Sequence, residues 1–311
     1  MAIGIAHGKT IFLGEHFSVY GTKIIGFGIA KKITAEILKS PAMKINFGAD
    51  DKTKQAIQVI KNSLGAGNFK TSIIESEIPV GSGLGSSASL MVAIIRACVS
   101  EFKLELGIDK INGIAFEAEK IFHGTPSGID NTLSTYGGAI IFQKSLLGPI
   151  IERPVIKNPL HLVLIDTGIK KDTLRMVQIV KNFKEKNEHE FAEILRKAEN
   201  VVDEAITGLK QGNAKIIGML MDENQELLSR IGVSHPENGK ATTMARASGA
   251  LGAKLVGAGG GGFCMALMKD KESALKLVKI MGEQYNCFYN LIPATQPVKK
   301  QKNKINLHEN R

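Results

Sequence analysis

Apolar residues alternate with small or polar ones over residues 3–13, and a second β-branched stretch, punctuated by glycines, covers residues 22–38. A period of two over these lengths predicts strands, so the chain opens on a sheet. From Asp51 the period changes. Apolar positions three and four apart predict helices over residues 51–64, 86–102, 108–122, 173–183, 191–209 and 214–228. Shorter apolar runs at 71–78, 138–143, 160–166, 253–256 and 263–268 predict further strands. The order is mixed rather than a strict strand–helix alternation, which points to an α+β fold. Two prolines and polar neighbours at residues 153–159 divide a glycine-rich first half from a helix-rich second half, and a lobe boundary is expected there.

Composition changes this picture little. With 311 residues, 43% hydrophobic and 23% charged, the chain can build two modest lobes. No apolar run approaches the roughly 18 residues that span a bilayer; the best, 90–99, is interrupted by Arg96. The N-terminus has none of the marks of a secretion signal, so a cytoplasmic protein without membrane partners is expected. Cys98, Cys264 and Cys287 stand far apart in apolar settings and read as reduced core thiols. The net charge of +10 raises the question of nucleic acid. A basic tail over 298–311 carries +4 of it, and the remainder is spread over mixed-sign helices with few aromatics, which argues against a nucleic-acid partner.

Two glycine loops carry more information. In IPVGSGLGSSAS, starting at Ile78, Gly81, Gly83 and Gly85 alternate directly ahead of a long apolar helix. Glycines let the backbone approach a ligand, and free N–H groups at a helix start attract anions, so the stretch can cradle phosphates. Ser86 or Ser87 can cap the helix or turn a hydroxyl to a phosphate-bound magnesium ion. An ordinary turn followed by a serine cap explains the same residues. No lysine follows the last glycine, so this is not the common P-loop. In the second loop, Gly257, Gly259 and Gly262 formally fit a dinucleotide fingerprint, yet they run into a strand at 263–268 rather than a helix. A glycine segment of that kind suits closure against a nucleotide or the first loop.

Candidate chemistry lies between and before these loops. Glu119, near the end of a helix, and Asp130, after a Pro-Ser-Gly turn, supply carboxylates for a metal and for an attacking hydroxyl. A solvated glutamate and a turn-forming aspartate are the plain alternatives. Lys9 lies in an apolar strand, where it must snorkel or be paired, and Asp130 is the candidate partner. Glu15, His16 and Tyr20 follow that strand.

Together these stretches resemble the GHMP-type small-molecule kinases, the family of galactokinase, homoserine kinase, mevalonate kinase and phosphomevalonate kinase. GKTIFLGEHFSVYG, PVGSGLGSSAS, EKIFHGTPSGIDNTLSTYGG, IGVSHPE and GALGAKLVGAGGGG occur in family order, and Ser18-Val19-Tyr20-Gly21 stands where galactokinases have an aspartate–tyrosine pattern. The likeness lies nearest the mevalonate kinase branch. It implies a two-lobed fold, with a mixed N-terminal lobe (1–155), a ferredoxin-like C-terminal lobe (156–297) and the active site in the cleft between. It also implies ATP and Mg2+ as cofactors, mevalonate as substrate, and allows a homodimer. By the same likeness Lys9 and Asp130 are catalytic, and Glu15, His16, Tyr20 and Thr135 face the substrate. Pro79, Gly81, Ser82, Gly83, Leu84, Gly85, Ser86, Ser87, Ala88, Ser89, Gly259 and Gly260 hold ATP, and Ser86, Ser87 and Glu119 hold the metal. Phosphomevalonate, homoserine or another mevalonate-derived acid is the alternative substrate. A noncatalytic nucleotide-binding or nucleic-acid-binding module is the rival from another class, and it has no need of the Lys9, Glu119 and Asp130 set.

Overall fold

The computed structural model describes residues 1–124, 126–146 and 148–295; the basic tail at 298–311 lies outside them. β1 (Ala2–Leu13) and β2 (Ile24–Lys39) form a long antiparallel hairpin, from Ala2 opposite Ile37 to Leu13 opposite Ile25. β2 runs unbroken through Gly26 and Gly28, because the neighbouring strands supply the ladder that the glycines by themselves do not favour. Its other edge pairs with β4 (Phe69–Ser76) and β5 (Ala139–Gln143), while β3 (Lys44–Ile45) and β6 (Ile150–Glu152) complete a six-stranded sheet. The apolar helix α2 (Ser86–Glu101) packs on β1 and β2. Around it lie α1 (Asp51–Leu64), α3 (Ile108–His123) and the short α4 (Ile129–Tyr136).

The second sheet is built from β7 (Leu160–Asp166), β8 (Gly252–Leu255), β9 (Phe263–Met268) and β10 (Asn286–Ile292), all antiparallel in the order β10-β7-β9-β8. Between β7 and β8 come α5 (Thr173–Lys186), α6 (Glu188–Gln211), α7 (Ala214–Arg230) and α8 (Pro236–Ala247); α9 (Lys271–Met281) joins β9 to β10. Counted from β7 the strand order is 4-1-3-2, the ferredoxin-like arrangement. Three helices, α4, α8 and α9, lie outside the expected set; α9 has ordinary apolar inward positions at Ala274, Leu277 and Met281, whereas the other two escape an apolar-period reading for physical reasons. The inward positions of α8 are Asn238, Ala241, Thr242 and Ala245, which give no apolar stripe, and α4 is two turns long with Asn131, Thr132, Ser134 and Thr135 among its buried residues.

The two sheets meet where β10 approaches β2. Asn290 Oδ1 accepts the Ala30 N–H at 2.8 Å, and the Lys31 ammonium lies over the Phe288 ring, 4.7 Å from its centre. Among the described residues, no helix is long and apolar enough to cross a membrane.

Candidate active site

β1 is stitched directly to the first glycine loop, since the Lys9 N–H donates to the Leu84 carbonyl at 2.9 Å. The Lys9 side chain, 6% exposed, then extends to Asp130 Oδ1 at 2.8 Å. Asp130 stands in the first turn of α4, which Gly128 opens in the left-handed region with φ 90°. That helix end carries partial positive charge and favours a carboxylate. Asp130 remains 34% exposed, so the pair opens to solvent on the aspartate side.

Glu119 sits late in α3 and is buried, 1% exposed. Among the described residues neither of its carboxylate oxygens has a partner in full hydrogen-bond geometry, although the Ser87 hydroxyl is near enough to favour the charged form. His123 Nε2 lies 3.5 Å from Glu119 Oε2. Burial pushes the Glu119 carboxyl up to about 7, the negative Asp130 adds to the rise, and Ser87 and Lys9 oppose it. A buried, half-satisfied acid beside a second carboxylate is a costly arrangement in a merely structural role.

Within the loop, Gly81, Gly83 and Gly85 all have positive φ, at 74°, 83° and 78°. A Cβ on Gly85 would lie 2.7 Å from Lys9 Cγ, so the absence of a side chain lets the lysine stem pass. Gly85, not a serine, is the cap of α2, and among the described residues no side chain takes up the first N–H groups of that helix. Both serines expected to compete for that task are therefore free of it, and the helix start is left as a donor surface. Ser86 and Ser87 are half-buried, whereas Ala88 and Ser89 are turned into the core. Ser89 Oγ donates to the His7 carbonyl at 2.9 Å, a packing contact rather than a loop-facing one.

Sequence reasoning missed Lys171, in the segment between β7 and α5. A side chain on Gly83 would collide with its Nζ, Gly257 would approach that nitrogen to 3.5 Å, and Gly262 would meet its Cδ at 3.1 Å. The lysine thus threads between the two glycine loops. Burial pushes its ammonium down to about 8, as does the charge of Lys9, while Asp130 pulls the other way. Nothing in GIKKDT distinguishes it from a solvated lysine pair.

Glu15, Tyr20 and Thr135, expected to face a substrate, pack among the chain's own residues, although the Thr135 hydroxyl has no hydrogen-bond partner among the described residues. Glu15, 3% exposed, forms an ion pair with the fully buried Lys254 of β8 and accepts from Asn224 Nδ2 at 3.2 Å. Tyr20 packs edge-on against Phe191, ring centres 4.9 Å apart, with the Lys184 ammonium 4.6 Å above its own ring. Thr135, 1% exposed, is directed inward by the phase of α4, and Arg96 Nη2 donates to its carbonyl at 2.7 Å. His16 is different. Its Nε2 lies 2.9 Å from the carbonyl of Ala258 in the second glycine loop, and burial, above all, lowers its basicity. A carbonyl can only accept, so Nε2 carries the hydrogen and the neutral ring keeps Nδ1 as an acceptor.

The assembly joins a lysine–aspartate pair, a buried acid lacking full partners, a surface of free helix N–H groups and a second cation between two glycine loops. Among the described residues no group of three or more histidine, cysteine or acidic side chains could hold a metal by itself. A cation at Glu119 therefore needs oxygen ligands from its own substrate, the usual situation of magnesium on a nucleotide phosphate.

Comparison with known proteins identifies the family. The GHMP kinases N terminal domain matches residues 51–138 and the GHMP kinases C terminal domain residues 205–287. Mevalonate kinase from Aeropyrum pernix is 31% identical over 304 residues, covering 91% of this chain and 93% of that protein. The crystal structure of L. major mevalonate kinase in complex with R-mevalonate superposes with a TM-score of 0.86 at 29% identity, covering 96% of this chain and 97% of that one. Methanococcus jannaschii mevalonate kinase gives a TM-score of 0.80 at 27% identity, covering 94% and 98%. With both halves matched in order and the relatives covered nearly end to end, the chain belongs to the GHMP kinase family.

Proposed function

We propose that this protein transfers the γ-phosphoryl group of Mg-ATP to the primary hydroxyl of mevalonate, giving 5-phosphomevalonate. The single observation that carries the reading is the 2.8 Å Lys9–Asp130 pair, set beside a glycine loop at the start of α2. The mevalonate kinase relatives, one of them in complex with R-mevalonate, support the choice of substrate.

On this reading the triphosphate lies along residues 79–87, received by the free N–H groups of α2 and closed over by the second glycine loop. Asp130 orients the substrate hydroxyl and receives its proton as the oxygen bonds to the γ-phosphorus and the bond to the β-phosphate oxygen breaks. Lys9 fixes that carboxylate and stabilises the alkoxide character of the attacking oxygen. Lys171 faces the oxygens of the moving phosphoryl group. Glu119 and a hydroxyl of the Ser86–Ser87 pair are the residues that would hold magnesium, and the buried carboxylate oxygens without full partners fit that task. A magnesium ion held there would supply neutralisation of the charge on the transferring phosphates. A cytoplasmic setting is in keeping with three cysteines that stand free of one another.

The test is ADP release measured across mevalonate, phosphomevalonate, homoserine and galactose. Mevalonate is expected to give the highest kcat/KM by about two orders of magnitude, a margin within reach of a site that pairs polar groups with its substrate. Faster turnover of phosphomevalonate would move the activity to that substrate, and no ADP release with any of the four would sink the kinase reading.

A further inference from the structure

The second glycine loop has a backbone that cannot hold itself. Gly259, Gly260, Gly261 and Gly262 have φ of 73°, 69°, 117° and 66°, four consecutive residues in the region that only glycine enters freely. Ordering any residue costs backbone entropy, and glycine loses the most. The conformation must be imposed from outside. Gly260 N–H donates to the Val233 carbonyl at 2.8 Å, and Gly262 N–H to the Ile169 carbonyl at 2.9 Å. The Gly262 carbonyl accepts from the Thr167 N–H at 3.0 Å and its hydroxyl at 2.7 Å.

Gly261 is held by a side chain. Asn238 Oδ1 accepts the Gly261 N–H at 3.0 Å, and Asn238 Nδ2 donates to the Gly261 carbonyl at 3.2 Å. One carboxamide thus pairs with both polar groups of one loop residue, as a strand would. Asn238 is 0% exposed, so water does not compete for either bond. The clamp also has a consequence one residue on. A Cβ at Gly262 would stand 3.1 Å from Lys171 Cδ and 3.4 Å from the Ser82 carbonyl, so Gly262 packs against the Lys171 stem and helps fix where the lysine lies between the two loops. Slack at Gly261 becomes slack in the position of Lys171.

We infer that Asn238 is a positioning residue for phosphoryl transfer: its carboxamide locks Gly261, and through Gly262 it sets where the Lys171 ammonium stands. The inference rests on the kinase reading given above. It absorbs the IGVSHPE stretch, which ends one residue before Asn238 and which the reaction itself does not use. Asn238 has a second duty, because its Oδ1 also accepts the His235 N–H at 3.2 Å and closes the capping box of α8. The test must separate the two.

N238A removes both functions, whereas N238S keeps an acceptor at the third helical position, able to take the His235 N–H but too short to span to Gly261. In both variants we expect kcat to fall at least 10-fold while KM for mevalonate stays within about 2-fold, and amide exchange at 260–262 to quicken. In N238S, exchange within α8 should stay at the wild-type level, which a purely structural role would not allow. Loop exchange or kcat at the wild-type level in folded N238S overturns the inference, and N238S serves alone should N238A fail to fold. The exchange measurement does not depend on which substrate is phosphorylated. Faster loop exchange in a protein that releases no ADP from any substrate would leave the clamp standing and remove the kinase reading beneath it.

Discussion

Lys9 Nζ and Asp130 Oδ1 stand 2.8 Å apart, joining the first strand of the chain to the first turn of α4. The aspartate is partly exposed and the lysine buried, so the carboxylate faces outward from a fixed cationic base. Asp130→Asn keeps the shape and removes the negative charge that, on the proposed reading, orients the hydroxyl and takes its proton. Turnover is expected to fall about 10³-fold or more, the scale of lost proton transfer and charge stabilisation together, while ATP affinity measured by titration changes little. Turnover within a few fold of wild type would exclude Asp130 from the reacting centre.

Glu119 predicts a pH dependence of definite sign. Its carboxyl lies near 7, raised mainly by burial, and only the ionised form binds a metal. Activity at limiting Mg-ATP should therefore rise as pH climbs through about 7. Stability without ligand runs the other way. Below the ordinary carboxylate range both states are protonated; between there and about 7 the folded state holds the extra proton, so stability is lost as pH rises through that window. Glu119→Gln should flatten the stability profile, recovering on the order of 2 kcal/mol at pH 8, and should weaken magnesium-dependent activity more than mevalonate binding. Urea unfolding at pH 5 and pH 8 reads the first effect and a magnesium titration the second.

Lys171 sets the alkaline side. Its ammonium is held down at about 8 by burial and by Lys9, so the cation between the glycine loops is present at neutral pH and lost above it. kcat/KM should decline above pH 8. Arginine stays charged throughout, so Lys171→Arg should retain the larger share of its own neutral-pH rate at pH 9.5, whereas Lys171→Met should lose about 10²-fold at neutral pH, a deficit that narrows above pH 8 as the wild-type lysine itself loses its charge. A wild-type profile flat to pH 9.5 would contradict the role assigned to this residue.

What was legible beforehand followed from local pattern. The apolar period located α1, β7 and β9 to the residue, because each repeats cleanly between glycine, proline or polar stops. A lysine embedded in an apolar strand announced that Lys9 needs a partner, and the same rule applied to Lys254 in β8 would have announced the ion pair with Glu15. Lys171 carried no such signal, since it lies in a polar connection and becomes buried only when the two glycine loops close around it. Thr135 could not be oriented without knowing that residues 129–136 are helical, and their polar composition hid this. Asn238 was equally silent, its importance arising from a backbone group 23 residues away.

Glu15 and Lys254 are buried almost completely and tie the end of β1 to the second sheet. Burial raises the Glu15 carboxyl while Lys254 and Asn224 hold it down, so each charge relies on the other. Lys254→Met leaves the glutamate uncompensated and should cost about 3–5 kcal/mol, the range for breaking a buried pair from one side. In a chain of this size that corresponds to a drop in Tm of roughly 5–8 °C. Adding Glu15→Gln removes the stranded charge while keeping an acceptor for Asn224, so the double variant should recover most of the loss. If the double variant is instead as unstable as the sum of the two single ones, the residues act independently and the pair is not what holds β1 against β8.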